Sequence, residues 1–380
     1  MVLPVYCVVL TLLWVVTCAY LLVASKKIIF LKNVVLDEPT ALPPLVVVIA
    51  VRNEEAEVEA ALQSVCRLRY PGLRVLVIND RSTDSTPAIL QRMASTNPML
   101  QVITIKSLPD GWLGKNHALY QGYLSSTEEW MLFTDADVLF APDALQKAMQ
   151  YALREKLDHL TVLPQITSSS RLFKSVVNTF ALMLEIKLRP WKASDPSSSA
   201  SIGVGAFNLV RRTAYEGAGT HTAISLRPDD DLKLGERLKA AGFRQNVAYG
   251  DDEVWLQWYT SLAQFIQGLM KNTFSVANYN LPLALAMALS TFFILVLPVP
   301  LMLFLGYPYW LMAIAVLLAQ MAVMVAKKGI NGRWWHALVI PFAGLVMVYI
   351  IVKSAFLTIR QGGIYWRDSF YSLRELKKQV

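Results

Sequence analysis

The chain has 380 residues, of which 54% are hydrophobic and 17% charged, and its formal net charge is +8. So apolar a composition excludes an ordinary water-soluble domain and a disordered chain, and it predicts segments that cross a bilayer. The excess positive charge falls after Asn280, which fits a membrane surface and speaks against nucleic acid as a partner. Cys7, Cys18 and Cys66 have no metal-ligand spacing and suggest no disulfide framework.

Residues 1–25 carry no charge and are expected to be a retained N-terminal transmembrane helix rather than a cleaved leader. Lys26, Lys27 and Lys32 follow it, and positive residues beside a span favour the cytoplasmic side. A central cytosolic domain is therefore expected over 26–254. Its first strand is LVVVIAV (45–51), apolar on both faces. Arg52-Asn53-Glu54-Glu55 follows, then a helix with Val58, Ala61, Leu62 and Val65 on one side. Pro71-Gly72 turns the chain into a strand from Arg74 to Ile78, which ends in the acidic patch 79–84. Further strands are expected at Leu100 to Ile105 and at WMLFT (130–134). Alternating strands and helices predict a mainly parallel sheet with helices on both faces. Ligands bind such sheets beyond the carboxyl ends of the strands, where Asp80, Asp135 and Asp137 fall.

Asp135 and Asp137 have the period-two spacing that lets two carboxylates share a divalent cation. An isolated pair of this kind is more often turn punctuation, so the rest of the acidic set decides. Asp229-Asp230-Asp231 opens an amphipathic helix, where capping alone is one account. Three adjacent carboxylates also repel one another, which costs stability unless a cation, an arginine or a function compensates. One carboxylate group for a metal and another to take a proton suits transfer from a nucleotide diphosphate. Residues 255–279, rich in Trp, Tyr and Phe, are expected to form an amphipathic interfacial helix. The Ser-rich stretch 194–201 is expected to be a loop. His221 is as well explained by a structural role as by a place beside an acceptor.

The motifs VVVIAVRNEE (46–55), VLVINDRSTDST (75–86), GWLGKNHAL (111–119), FTDADV (133–138), GAFNLVRR (205–212) and RPDDDLKLGERL (227–238) stand in an order that resembles membrane-bound family 2 glycosyltransferases. With the tail GGIYWRDSFYSL (362–373), the resemblance points to the hopanoid-associated and carotenoid glycosyltransferase branch. It implies an α/β fold of the GT-A type, a Rossmann-like nucleotide-diphospho-sugar transferase domain. Asn53, Glu54 and Asp80 are then implied to bind base and ribose, Lys115 the diphosphate, and Asp135 with Asp137 a Mg2+ or Mn2+ ion. Asp231 is implied as the catalytic base, or Asp230 if the register slides by one. The implied reaction is inverting transfer of a hexose from a nucleotide sugar, UDP-linked in this reading. Two departures stand out. Asn79-Asp80 replaces the usual pair of aspartates. The Q-x-x-R-W motif of synthases is incomplete: Gln264 is present, but Gln267-Gly268 replace Arg-Trp, with Lys271-Asn272 as a possible substitute.

Residues 280–358 are expected to hold two spans, turning at Gly306-Tyr307-Pro308, and a third segment, Trp334 to Val352, that either spans or re-enters. A basic tail covers 359–380. A spanning third segment would put this tail outside, against the positive-inside tendency. The chain lacks an obvious polymer channel, so a membrane lipid is the expected acceptor, and the bacterial inner (plasma) membrane the expected location. The rival readings are a polysaccharide synthase of the same family and a catalytically silent scaffold.

Overall fold

The computed structural model describes residues 2–37, 41–168, 170–366 and 369–377. Helix α1 (Val2–Ala24) contains no charged residue. It buries Cys7, Leu10, Trp14, Cys18 and Leu21 and exposes Val5, Val9, Leu12 and Val16, two stripes set apart by the helical period. After it come β1 (Ile29–Phe30), β2 (Leu45–Val51), α2 (Val58–Cys66), β3 (Arg74–Asp80), α3 (Thr86–Thr96), β4 (Leu100–Ile105), α4 (Gly114–Leu124) and β5 (Trp130–Thr134). The domain continues with β6 (Val138–Phe140), α5 (Ala144–Arg154), β7 (His159–Ile166), α6 (Arg171–Leu188), β8 (Asn208–Arg211), α7 (Arg212–Gly217), α8 (Asp230–Ala240) and β9 (Gln245–Leu256).

These strands form one sheet in the order β1-β9-β7-β8-β5-β2-β3-β4, with β6 paired to β9. The β4-β3-β2-β5 half is parallel, as its continuous apolar strands predict. In the other half β1-β9 and β9-β7 are parallel too, so the sheet is mainly parallel as expected; the exceptions are β6, antiparallel to β9, and β8, which runs antiparallel to both β5 and β7. The cause is local. The loop before β8 crosses the end of β5, where Asp135 N donates to Gly205 O over 3.1 Å and Thr134 Oγ1 donates to Ala206 O over 2.7 Å. The chain therefore enters β8 at the carboxyl edge of β5 and has to run the opposite way.

The C-terminal region consists of α9 (Leu262–Val276), α10 (Leu281–Thr291), α11 (Pro298–Phe304), α12 (Tyr309–Ala326), α13 (His336–Gln361), a hairpin of β10 (Gly363–Trp366) and β11 (Ser369–Ser372), and α14 (Leu373–Lys377). Strand β9 reaches Leu256, so α9 begins seven residues later than the 255–279 segment expected from composition. A π-type turn over Phe292–Val296 joins α10 to α11, and the two helices bend by 47° where Pro298 removes a backbone donor. Among the described residues, α1 extended to Lys27, α12 and α13 are each long and apolar enough to cross a membrane, and the bent α10–α11 pair adds a fourth candidate.

Candidate active site

A cleft of about 320 Å³ opens beyond the carboxyl ends of β2, β3 and β5, with Arg52, Glu54, Asp80, Lys115, Asp135 and Asp137 among its walls. Two loops are stitched together to make its floor. Asn53, in the left-handed region at φ 53°, accepts from Thr83 N through Oδ1 over 2.8 Å, and its own N–H donates to Ser82 Oγ over 3.1 Å. Glu54 N donates to Thr86 Oγ1 over 2.9 Å, and Ser85 N donates to Glu55 Oε2 over 2.9 Å. The polar residues after β2 therefore spend much of their bonding capacity on the loop after β3. Asn53 ties the loops together, while Arg52 and Glu54 line the cleft.

Asp80 is 3% exposed. Its carboxylate takes a two-pronged bond from Arg81, Nε to Oδ1 at 2.8 Å and Nη2 to Oδ2 at 3.1 Å, and Arg52 Nη1 lies 3.5 Å away. A Cβ on Gly114 would lie 2.2 Å from Asp80 Oδ2. Glycine at that position thus lets the loop carrying Lys115 close over the end of β3.

Lys115 is the hub of the site. Its Nζ lies 2.8 Å from Asp135 Oδ1 and 3.6 Å from Asp230 Oδ1. Burial by itself would lower its pKa, but Asp135, Asp230 and Asp231 outweigh that and raise it, so the lysine stays charged. Asp231 Oδ2 accepts from Gly205 N and Oδ1 from Leu232 N, each over 2.8 Å. Each oxygen keeps a second lone pair, so the carboxylate is oriented without being exhausted. Burial pushes the carboxyls of both Asp230 and Asp231 up, that of Asp230 to about 7. Asp230 is 5% exposed and points toward His221, with Oδ2 4.0 Å from Nε2, whereas Asp231 is half-buried. His221 is itself buried and held neutral, its pKa pushed down to about 3 by desolvation and then by Lys115.

Two further contacts hold α8 in place. Arg227 grips Asp229 through Nε and Nη2 at 2.9 and 2.8 Å, both residues buried. Asn116 Nδ2, next in chain to Lys115, donates to the carbonyls of Ile224 and Arg227 over 2.8 and 2.9 Å. Asp229 is therefore matched by an arginine, and the other two carboxylates of the run are left for the site.

Asp137 lies two residues beyond Asp135, and its Oδ1 is buried without a hydrogen-bond donor. Its carboxyl is pushed up to about 7 by burial, then by Asp135 and Glu54. A buried acceptor beside two more carboxylates fits a divalent cation, which would satisfy the orphan oxygen and relieve the repulsion. Among the described residues no group of three or more His, Cys, Asp or Glu makes a ready metal cage. The residues present thus fit a cation that shares its remaining positions with a ligand.

Of the residues singled out in the sequence, Glu54, Asp80, Lys115, Asp135 and Asp137 come together in the cleft, and Asp230 and Asp231 adjoin it across Lys115 and Gly205. Gln264 is exposed and accepts from Thr260, which ties down the start of α9. The side chains of Lys271 and Asn272 lie outside the described residues. Sequence reasoning missed Arg52, Arg81, Trp258, Tyr259 and Tyr371. The two arginines lie inside the motifs over 46–55 and 75–86, and the aromatics inside the stretches 255–279 and 362–373, but no local pattern marks those rings as facing the cleft. Tyr259 also accounts for a departure: a Cβ on Gly268 would lie 2.2 Å from its hydroxyl, so that ring fills the space beside the incomplete motif.

Residues 46–217 match the family model for glycosyl transferase family 2. The chain carries a family 2 glycosyltransferase domain. The chain is 27% identical over 226 residues to 4,4'-diaponeurosporenoate glycosyltransferase of Staphylococcus aureus, in strain MRSA252 and again in strain USA300. The match covers 59% of this chain and spans 58% of those relatives' length. A solved mannosyltransferase, PcManGT from Pyrobaculum calidifontis in complex with GDP-Man and Mn2+, aligns with a TM-score of 0.57 at 19% identity, covering 93% of this chain and 97% of its own. The fold is therefore GT-A, and the remaining helices include apolar candidates at both ends.

Proposed function

We propose that the enzyme transfers a hexose, with inversion, from a nucleotide-diphosphate sugar, UDP-linked in our reading, to a lipid of the membrane in which it sits. The observation that carries this is the meeting of Lys115, Asp135, Asp137, Asp230 and Asp231 at one sheet edge. Glu54 and Asp80, with Arg52 and Arg81, take the nucleoside end, and Asn53 shapes their loops. Lys115 pairs with the diphosphate as a point charge. Asp135 and Asp137 would hold Mg2+ or Mn2+, which supplies charge neutralisation to the departing diphosphate. Asp231 takes the proton from the acceptor's hydroxyl or carboxyl group as its oxygen attacks the anomeric carbon and the diphosphate leaves from the opposite face. Asp230, deeper and closer to Lys115, keeps that lysine charged and in place.

The lipid acceptor is supported by the helices around the domain and by the S. aureus relative, whose name describes glycosylation of a carotenoid acid. In the same reading, 26–254 is a cytosolic catalytic domain at a bacterial inner membrane, α1 is its anchor and α9 its interfacial helix. Comparing lipid extracts of cells with and without the protein by mass spectrometry tests the proposal. A lipid one hexose heavier should appear only with the protein. A water-soluble polymer in its place would favour the synthase reading, and no new product would favour a scaffold.

A further inference from the structure

The reaction as described leaves the C-terminal hairpin without a part, yet the hairpin reaches the same cleft. Gly362 ends α13 in the left-handed conformation at φ 69° and turns the chain into β10 and β11, which pair from Gly363 opposite Ser372 to Trp366 opposite Ser369. Leu373 N donates to Gly362 O over 2.7 Å and closes the base. Ile364 and Tyr371 are buried in one apolar cluster with Leu113, Leu226 and Phe274. Tyr371 is 8% exposed, forms part of the wall of the cleft that holds Lys115 and Asp137, and donates from its hydroxyl to Trp112 O over 3.1 Å. The next residue, Leu113, donates its N–H to Ser225 O over 2.8 Å. Residues 112–113 are thus held by the hairpin on one side and by the turn before α8 on the other, immediately ahead of Gly114 and Lys115.

We propose that Tyr371 is a positioning residue of the transferase: by holding the Trp112 carbonyl it fixes the loop that presents Lys115 to the donor diphosphate, and its ring closes that side of the cleft. The inference rests on the nucleotide-sugar reading above. A lysine is a point charge on a flexible stem, so its aim depends on the backbone beneath it, and a displacement of about 1 Å can cost roughly a hundredfold in rate. The hairpin therefore makes the far C-terminus part of the donor site.

The test uses the full chain in lipid nanodiscs, as wild type, Tyr371→Phe and Tyr371→Ala. Three quantities are measured: affinity for UDP and for GDP with Mn2+, hydrogen exchange of amides 113–115, and melting temperature. Losing one hydrogen bond should weaken nucleotide binding about fivefold in Tyr371→Phe, and losing the ring as well by tenfold or more in Tyr371→Ala. Exchange at 113–115 should rise in both, with the melting temperature of Tyr371→Phe unchanged. Wild-type affinity and wild-type exchange in both variants would overturn the proposal. If Tyr371→Ala does not fold, the isosteric Tyr371→Phe decides. If wild type binds neither nucleotide, the donor reading fails instead, and loop exchange in Tyr371→Phe still decides whether Tyr371 positions the loop.

Discussion

Asp137 stands three residues beyond β5, immediately before β6, with a carboxylate oxygen that accepts no hydrogen bond. Replacing it with alanine removes a buried charge and one side of the cation site, so the variant should fold at least as well as wild type. Transfer in Mn2+ should fall to background, checked by product formation alongside a melting curve, and full activity would sink the assignment. We expect Asp230 to shape the acid limb of the rate. Its carboxyl sits at about 7, raised first by burial and then, against the opposing pull of Lys115, by its acidic neighbours. Below that pH it takes up a proton and Lys115 loses a counter-charge, so kcat/KM should fall as pH drops from about 8 to about 6. With Mn2+ saturating, so that the cation keeps Asp137 ionised, Asp230→Asn should remove the inflection near 7, and a wild-type profile flat over that range would contradict the role.

The acidic side chains were legible because charge at the end of an apolar strand, or three aspartates in a row, breaks local rules of burial and repulsion. Their convergence was not legible. It depends on Gly205, whose N–H holds Asp231 and whose carbonyl takes the Asp135 N–H, and nothing near Gly205 in sequence reveals either bond.

Elements make the same point through glycine. A Cβ on Gly203 would lie 1.9 Å from the Asp231 carbonyl oxygen, and one on Gly235 would lie 2.2 Å from the Ile202 carbonyl oxygen. The 202–205 loop and α8 therefore touch backbone to backbone, with no flexible side chain to yield. Gly203→Ala should destabilise the domain by about 1–3 kcal/mol, as overpacking typically does, and should cut activity by shifting Asp231. Chemical denaturation together with a rate assay checks both, and a variant as stable and active as wild type would contradict the packing. Strands 45–51 and 130–134 were readable to the residue as compact apolar runs, and 100–105, LQVITI, as a short stretch rich in β-branched residues after Pro98. Strand β9 was not: its alternation is interrupted by Gly250-Asp251-Asp252-Glu253, which resembles a turn, and the sheet absorbs this with a register shift against β7 at Pro164 and Gln165.

At the scale of the whole molecule, α13 decides the topology. One of its faces packs on the domain and its partner helices: His336 Nδ1 lies 3.0 Å from Asn178 Nδ2 on α6, Ser354 Oγ donates to Met270 O on α9 over 2.6 Å, and Ala343, Met347 and Ile350 join Phe173 and Phe265. The other face exposes Leu338, Phe342, Leu345, Tyr349, Val352, Phe356 and Ile359 at three- and four-residue spacing. Because α13 rests on the domain near its start and, through Tyr371, just beyond its end, we expect both of its ends on one side of a bilayer. We therefore expect α13 to lie along the membrane surface with its apolar stripe in lipid, which also removes the conflict with the basic tail. Cysteines placed at exposed Arg92 and exposed Arg374 should react with an impermeant thiol reagent from the same side; labelling from opposite sides would make α13 a span.

In the proposed reaction the clustered carboxylates and Lys115 transfer sugar to lipid. It is tested most directly by giving nanodiscs of the full chain UDP-hexose labelled in the sugar, Mn2+ and a bacterial lipid extract, and following label into the organic phase. Organic-phase label is expected with wild type, with a loss of about 10²–10⁴-fold in Asp231→Asn, the range for removal of a general base, and with nucleotide affinity retained. Equal labelling by Asp231→Asn, or wild-type label confined to the aqueous phase, would contradict it.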